Sequence, residues 1–266
     1  MGEKRAEHGR VKRSAERLGR GLVFALILFL AWELAFRSGR WSRYVLPGPG
    51  KVAGALWTMI ANGSLFVSMA VSLRRVLTGY LIAFVLAFLL GAAAAARPRW
   101  NDYYGPYLEF MRNVPPLSLI ALLILWFGIG ETSKIIIIVL ASFFPMFLNI
   151  RKGFTSCDKK LLEVGQVCGF SYFRQFSRII LPSAVPDILV GMRIGLGYSW
   201  RAIIGAEMIA ASSGLGYLIL DAQQMSRSDK VIVGILAIGL IGIACDKVFG
   251  LLVSWVTHGG ADSENI

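Results

Sequence analysis

The chain has 266 residues, 56% of them hydrophobic and 17% charged, with a mean hydropathy of +0.62. That is more apolar surface than one soluble core buries, and it predicts an integral membrane protein. The formal charge is +12, but the basic residues gather at the ends of apolar stretches, where lipid headgroups and topology account for them, which argues against a nucleic-acid partner.

Residues 1–20 form a basic tail carrying Lys4, Arg5, Arg10, Lys12, Arg13, Arg17 and Arg20. No small-residue cleavage site follows the apolar run Gly21 to Phe36, so it reads as an uncleaved first span with a cytoplasmic N-terminus, not as a signal peptide. Gly48-Pro-Gly50-Lys51 imitates the end of a phosphate loop. Val45 stands where that loop needs its first glycine, however, Val52 where it needs Ser or Thr, and Pro47 and Pro49 lack the N–H groups that would cradle phosphate. Any ATP therefore belongs to a partner subunit, and the chain itself needs no cofactor.

Further spans are expected at Val76 to Ala95, Val114 to Gly128, Lys134 to Asn149, Asp187 to Ala210 and Val231 to Trp255, giving about six crossings of a hydrocarbon core ~30 Å thick. The third is short unless it begins near Tyr104, which draws Glu109 and Arg112 toward the membrane. The fold class is all-α and polytopic, one membrane domain over residues 21–258 with a frayed tail at 259–266. An even number of spans returns the C-terminus to the cytoplasm and places Arg151, Lys152, Lys159, Lys160, Arg174 and Arg178 inside; Arg37, Arg40, Arg43 and Lys51 then fall outside, against the positive-inside trend. Gly79, Ala83, Ala87, Gly91 and Ala95 recur every four residues, as do Gly242, Asp246, Gly250 and Ser254, and Gly191 with Gly195. These are faces on which helices approach closely within one bundle.

The polar segment 155–182 has its own local logic. Thr155, Ser156 and Asp158 offer caps for a helix from Lys159 to Cys168, which Gly169 can stop in the left-handed conformation. A second short helix can start at Ser171. Leu181 precedes a proline and is biased away from helix, so Pro182 is predicted to separate this elbow from the fifth span. Phe170, Tyr172, Phe173 and Phe176 are available to pack on a partner or on the membrane surface. The local pattern by itself fits an ordinary interfacial loop equally well.

Polar groups stranded in apolar spans mark candidate pathway residues, because each is costly unless paired or wet. Arg193, Trp200, Arg201 and Glu207 occupy the fifth span, and Arg112 with Asn113 stands at the entrance of the third. Trp200 and Arg201 can offer an aromatic wall and a cation to an anion. A structural ion pair between Glu207 and an arginine is the competing reading, and Asp246 and Glu33 read as interhelical hydrogen-bond partners. Cys157, Cys168 and Cys245 form no Cys-x-x-Cys pattern, and the histidines, His8 and His258, lie in the tails, so no metal site is expected. No nucleophile is set beside a base, so the chain is not read as an enzyme.

The segment Glu163-Val-Gly-Gln-Val-Cys-Gly169, followed by Ile179-Ile-Leu181-Pro182, resembles the EAA loop of bacterial ATP-binding-cassette (ABC) importer permeases, with Val164 and Gly165 replacing the usual alanines. Leu46-Pro-Gly-Pro49, Ser72-Leu-Arg-Arg75 with Gly79, Arg112-Asn-Val-Pro-Pro116, Leu125-Trp-Phe-Gly128 and Ala206-Glu207 with Ser213-Gly-Leu-Gly-Tyr217 extend the resemblance over residues 40–258. It points to permeases for sulfonate, nitrate and taurine uptake, the sulfonate branch nearest. The resemblance implies a type I importer permease in the bacterial inner membrane, acting as a homodimer with two ATPase subunits and an extracytoplasmic solute-binding protein. It also implies coupling through Glu163, Gly169, Ile179, Leu181 and Pro182, and a small anionic solute. A secondary transporter or channel working without ATP is the alternative; discontinuous helices and inverted halves would favour it, and the two halves show no similarity.

Overall fold

The computed structural model of the chain describes residues 19–20, 23–97, 99 and 101–256. Most of the basic tail, Gly21 and Leu22 of the first expected span, His8, His258 and the C-terminal tail lie outside these residues. The described residues are mostly helical, with no strand among them. In chain order the helices are α1 (23–37), α2 (Pro49–Ala61), α3 (Ser64–Ala96), α4 (Asn101–Asn113), α5 (Ile120–Phe127), α6 (Glu131–Thr155), α7 (Lys159–Val167), α8 (Tyr172–Gln175), α9 (Leu181–Ala210), α10 (Leu215–Gln224) and α11 (Ser228–Val256).

Among the described residues, four helical stretches are long and apolar enough to cross a membrane: Ser64–Ala96, Glu131–Thr155, Tyr172–Ala210 and Ser228–Trp255. Each runs past the span expected from hydropathy, because hydropathy marks only the part that sits in hydrocarbon and the helix continues through its polar ends. The third expected span takes a different form. Asp102–Asn113 and Pro116–Phe127 pass the same test only as a pair bent by 87°. Pro115 and Pro116 explain the bend, since neither can donate a helical N–H and each pushes its predecessor away from helical geometry.

The chain divides into two compact units, residues 1–62 with 222–233, and residues 63–221 with 234–266. In the first, the Trp32 indole of α1 donates to the Pro47 carbonyl at 3.1 Å, and the Ser228 hydroxyl donates to the Tyr44 carbonyl. Arg227 donates twice to Asp229, at 3.0 and 2.8 Å, and that carboxylate raises the Arg227 pKa above its ordinary value. Glu33 pairs with Arg37 one turn along its own helix, not with another helix as expected.

In the second unit α6 is the central helix, packed between α3 and α9. Tyr80, Ala83, Ala87 and Ala94 of α3 meet Met146, Phe147, Ile150 and Phe154 of α6 and Ala184 and Ile188 of α9. The small-residue stripes make this approach possible. A Cβ at Gly79 would lie 2.7 Å from Ile138 Cβ, one at Gly91 2.9 Å from Ile150 Cγ2, and one at Gly191 2.7 Å from Asn149 Cβ. Close backbone packing of this kind is how helices associate where lipid removes the hydrophobic driving force. The stripe on α11 behaves differently: Gly242 meets the Trp200 indole, whereas a Cβ at Gly250 would touch nothing.

Candidate functional site

The 155–182 elbow forms largely as its caps dictate. The Asp158 carboxylate accepts from the Lys160 N–H at 2.9 Å and starts α7, and Gly169 closes it at φ +69°. The Phe170 N–H reaches the Gly165 carbonyl and the Gly169 N–H the Gln166 carbonyl, both at 2.9 Å, the paired bonds of a left-handed helix stop. Ser171 caps α8 through the Arg174 N–H, and the Arg174 guanidinium sits 4.6 Å from the centre of the Phe170 ring.

Pro182 does not separate the elbow from the next span. Residues Phe176–Ile180 make a π-helical turn, Leu181 is helical at φ −63° and ψ −48°, and the helix continues unbroken from Tyr172 to Ala210. A proline ring inside an α-helix clashes with the carbonyl four residues earlier. Here the wider turn directly before Pro182 takes up that conflict. From Tyr172 onward the elbow is thus one continuous helical stretch with α9.

The elbow divides its residues between an inner and an outer face. Gly165 is buried, and a Cβ there would lie 2.7 Å from Ile179 Cδ1, which accounts for a glycine where the family loop carries alanine. Ile179 and Leu181 are half-buried, Leu181 against the α3–α6–α9 core. Glu163, Gly169 and Pro182 are exposed. Elsewhere on the elbow Val164, Val167, Tyr172 and Phe173 are exposed at 59%, 90%, 71% and 78%.

Polar chemistry in the second unit concentrates in a buried cluster that the sequence reading missed in part. Glu207 of α9 is fully buried, yet its carboxylate accepts from Arg75 Nη1 at 2.7 Å, from the Ser72 hydroxyl at 2.8 and 2.9 Å, and from the Gly216 N–H at 2.9 Å. Arg75 also grips Glu131 with two bonds of 2.8 and 2.6 Å and reaches the Ser213 carbonyl and hydroxyl. Lys134 stands 3.0 Å from Glu131. Arg75 and Lys134 thus offset Glu131 and Glu207, and the exposed Arg74 lies 3.9 Å from Glu131 at the edge of the cluster. The arginine expected to pair with Glu207 is therefore Arg75, not a residue of α9 itself. A signal for it was present, since Ser72, Arg75, Val76, Gly79 and Ala83 share the helical face that the small-residue stripe marks as buried.

This cluster explains Ser213-Gly-Leu-Gly-Tyr217. Gly214 has φ +110°, and a side chain there would strike the Glu207 carboxylate; one at Gly216 would strike the Ile204 carbonyl. The two glycines let the turn after α9 close over the buried charge, with the Leu215 N–H donating to Ser72 at 2.9 Å.

The other candidates fall in two places. Arg112 and Asn113 end α4, where Arg112 lies 3.6 Å from Glu109 and Asn113 bonds the Glu109 carbonyl; Arg112 lines a cavity of about 550 Å³ with Asp102, Glu109 and Arg151. Arg193, Trp200 and Arg201 come together on a separate cleft of about 360 Å³ between α9 and α11. There Arg193 holds Asp246 of α11 through two bonds of 2.9 Å, so Asp246 is the interhelical partner it was expected to be. The buried Trp200 indole donates to the Ile238 carbonyl at 3.2 Å, and the exposed Arg201 guanidinium lies 5.7 Å from the Tyr198 ring centre.

Comparison with known proteins agrees with this architecture. The family model described as binding-protein-dependent transport system inner membrane component matches residues 79–258. The Bacillus subtilis (strain 168) permease protein SsuC, assigned to aliphatic sulfonates transport, is 37% identical over 249 residues, 93% of this chain and 90% of that protein. The taurine transport system permease protein TauC of Escherichia coli (strain K12) is 35% identical over 224 residues, covering 82% and 81%. The crystal structure of an amino acid ABC transporter with histidines superposes with a TM-score of 0.60 at 18% identity, covering 76% of this chain and 96% of that one, a likeness of fold. With the family model covering residues 79–258 and both relatives aligned over four fifths or more of their length, the chain belongs to the binding-protein-dependent transport system inner membrane components, the integral membrane permeases of ABC transporters.

Proposed function

We propose that two copies of this chain form the membrane pathway of an ATP-driven importer, each seated on one ATPase subunit through residues 155–182, with a solute-binding protein delivering a small anion from the far side. Sulfonates and taurine, the solutes named for the relatives, share a sulfonate group, which makes an aliphatic sulfonate the solute class this reading favours over nitrate. Both termini then lie in the cytoplasm of a bacterial cell and the elbow faces cytoplasmic ATP. Arg193, Trp200 and Arg201 line the route, and Arg112 and Asn113 stand on a second cavity beside it. Glu207 serves the route from behind by holding the turn after α9.

The observation that carries the reading is the set of exposed elbow residues, Glu163 with the apolar Val164, Val167, Tyr172 and Phe173, which we take together as a docking patch, while Phe176, Ile180 and Leu181 tie the same element to the core. Because the helix runs without a break from Tyr172 into α9, force received at the patch passes directly to the helix that lines the cleft. Such a lever supports a two-state rocking mechanism. Glu163→Arg and Val167→Asp test it: each is expected to leave the permease in the membrane while abolishing co-purification with the ATPase. Normal assembly by both variants overturns the reading.

A further inference from the structure

We infer that the cleft between α9 and α11 is a subsite for a monoanion bearing a short apolar tail, and that Asp246 sets its charge limit by cancelling Arg193. The inference rests on the translocation reading above and names the solute chemistry of that pathway.

Arg193 and Asp246 meet partway along two spans, and their side chains remain 44% and 53% exposed. An ion pair that open to hydrocarbon is expensive, so this face of the helices borders water or a polar solute. The pair is bidentate and neutral as a unit. Arg201, by contrast, has no carboxylate within ion-pair distance among the described residues; its neighbours are Tyr198 and the cleft itself. The cleft therefore carries one uncompensated positive charge. A monoanion neutralises it, whereas a dianion such as sulfate brings a second negative charge into a wall that already holds Asp246 and must leave more of its hydration behind.

The rest of the lining is apolar. Leu196, Ile238 and Ile243 supply aliphatic surface, Trp200 supplies an aromatic face pinned by its bond to Ile238 and by Gly242 packed against the indole, and Gly239 leaves open space in the lining. A volume near 360 Å³ is at the small end of sites for organic ligands. A head group at Arg201 with a few methylenes along Leu196 and Trp200 fits this division of polar and apolar surface better than a bare inorganic ion.

Trp200 also supplies the test. In the complete transporter held in lipid nanodiscs without nucleotide, the part of the tryptophan fluorescence that is missing from Trp200→Phe is expected to be quenched by 1-butanesulfonate and not by sulfate or 1-butanol. Arg201→Ala is expected to weaken the sulfonate response by at least about tenfold. Asp246→Asn frees Arg193 and is expected to admit sulfate. Removing both members of the pair, as Arg193→Gln with Asp246→Asn, leaves Arg201 alone and is expected to keep the preference for the monoanion. Equal responses to sulfate and butanesulfonate in the unaltered protein overturn the proposal, and that comparison decides even if Asp246→Asn fails to assemble. A complex that imports sulfonate with ATP but shows no Trp200 response also overturns it, while leaving the importer reading intact. A Trp200 response in a permease that binds no ATPase supports the subsite and removes the importer reading.

Discussion

Glu207 shows how a buried charge is made tolerable. Its carboxylate takes hydrogen bonds from a guanidinium, a hydroxyl and a backbone N–H, and the arginine that serves it is shared with Glu131, which Lys134 in turn supports. Breaking one side of a buried pair leaves the other uncompensated, at a cost of ~3–5 kcal/mol. Arg75→Leu is therefore expected to lower the fraction of protein that survives heating as a monodisperse species far more than an exposed Arg112→Leu. Adding Glu207→Gln to Arg75→Leu is expected to recover part of the loss, because the stranded charge is gone. Strictly additive losses would show that the two residues act independently. At this scale the sequence was half legible. Glu207 and its need for an arginine could be read from an acidic residue in an apolar run, but the partner lies 132 positions away and only the packing of α3 on α9 brings them together.

The elbow is the element whose sequence was most nearly sufficient. Asp158, Gly169 and Ser171 act through bonds to their own neighbours, and such local chemistry is visible in one dimension. Pro182 was misread for the complementary reason: the expected break is a local preference, and the π turn that absorbs it is held by Phe176, Ile180 and Leu181 packing on the core. The bent pair α4 and α5 was legible as a span that is too short, with its cause in Pro115 and Pro116, but not as an 87° turn. Gly165 gives this scale its test. Gly165→Leu is expected to push Ile179 out of its seat at ~1–3 kcal/mol, as overpacking does, and to weaken ATPase binding. Combining it with Ile179→Ala is expected to restore part of that binding. Unchanged binding by Gly165→Leu alone would mean that the contact of α7 with the π turn does not shape the docking face.

For the whole molecule, composition established a helical membrane protein, and the family match established a permease. The proposed orientation rests on the basic residues of the elbow and has a direct check. In a background lacking Cys157 and Cys245, the native exposed thiol of Cys168 is expected to react with a membrane-impermeant reagent only after cells are permeabilised. A thiol placed at Asn62, in contrast, is expected to react in intact cells. The reverse pattern would invert the topology and move the elbow away from ATP.

On the proposed function, this chain moves its solute only when a separate ATPase drives it. The decisive measurement is sulfonate uptake into proteoliposomes holding the permease and its ATPase, with the binding protein on one face and ATP supplied on the other. Uptake against a gradient is predicted only when ATP is on the face of the 155–182 elbow and the binding protein is on the opposite face. Equal uptake without ATP, running down the sulfonate gradient, would contradict the account and make the chain a channel or secondary transporter.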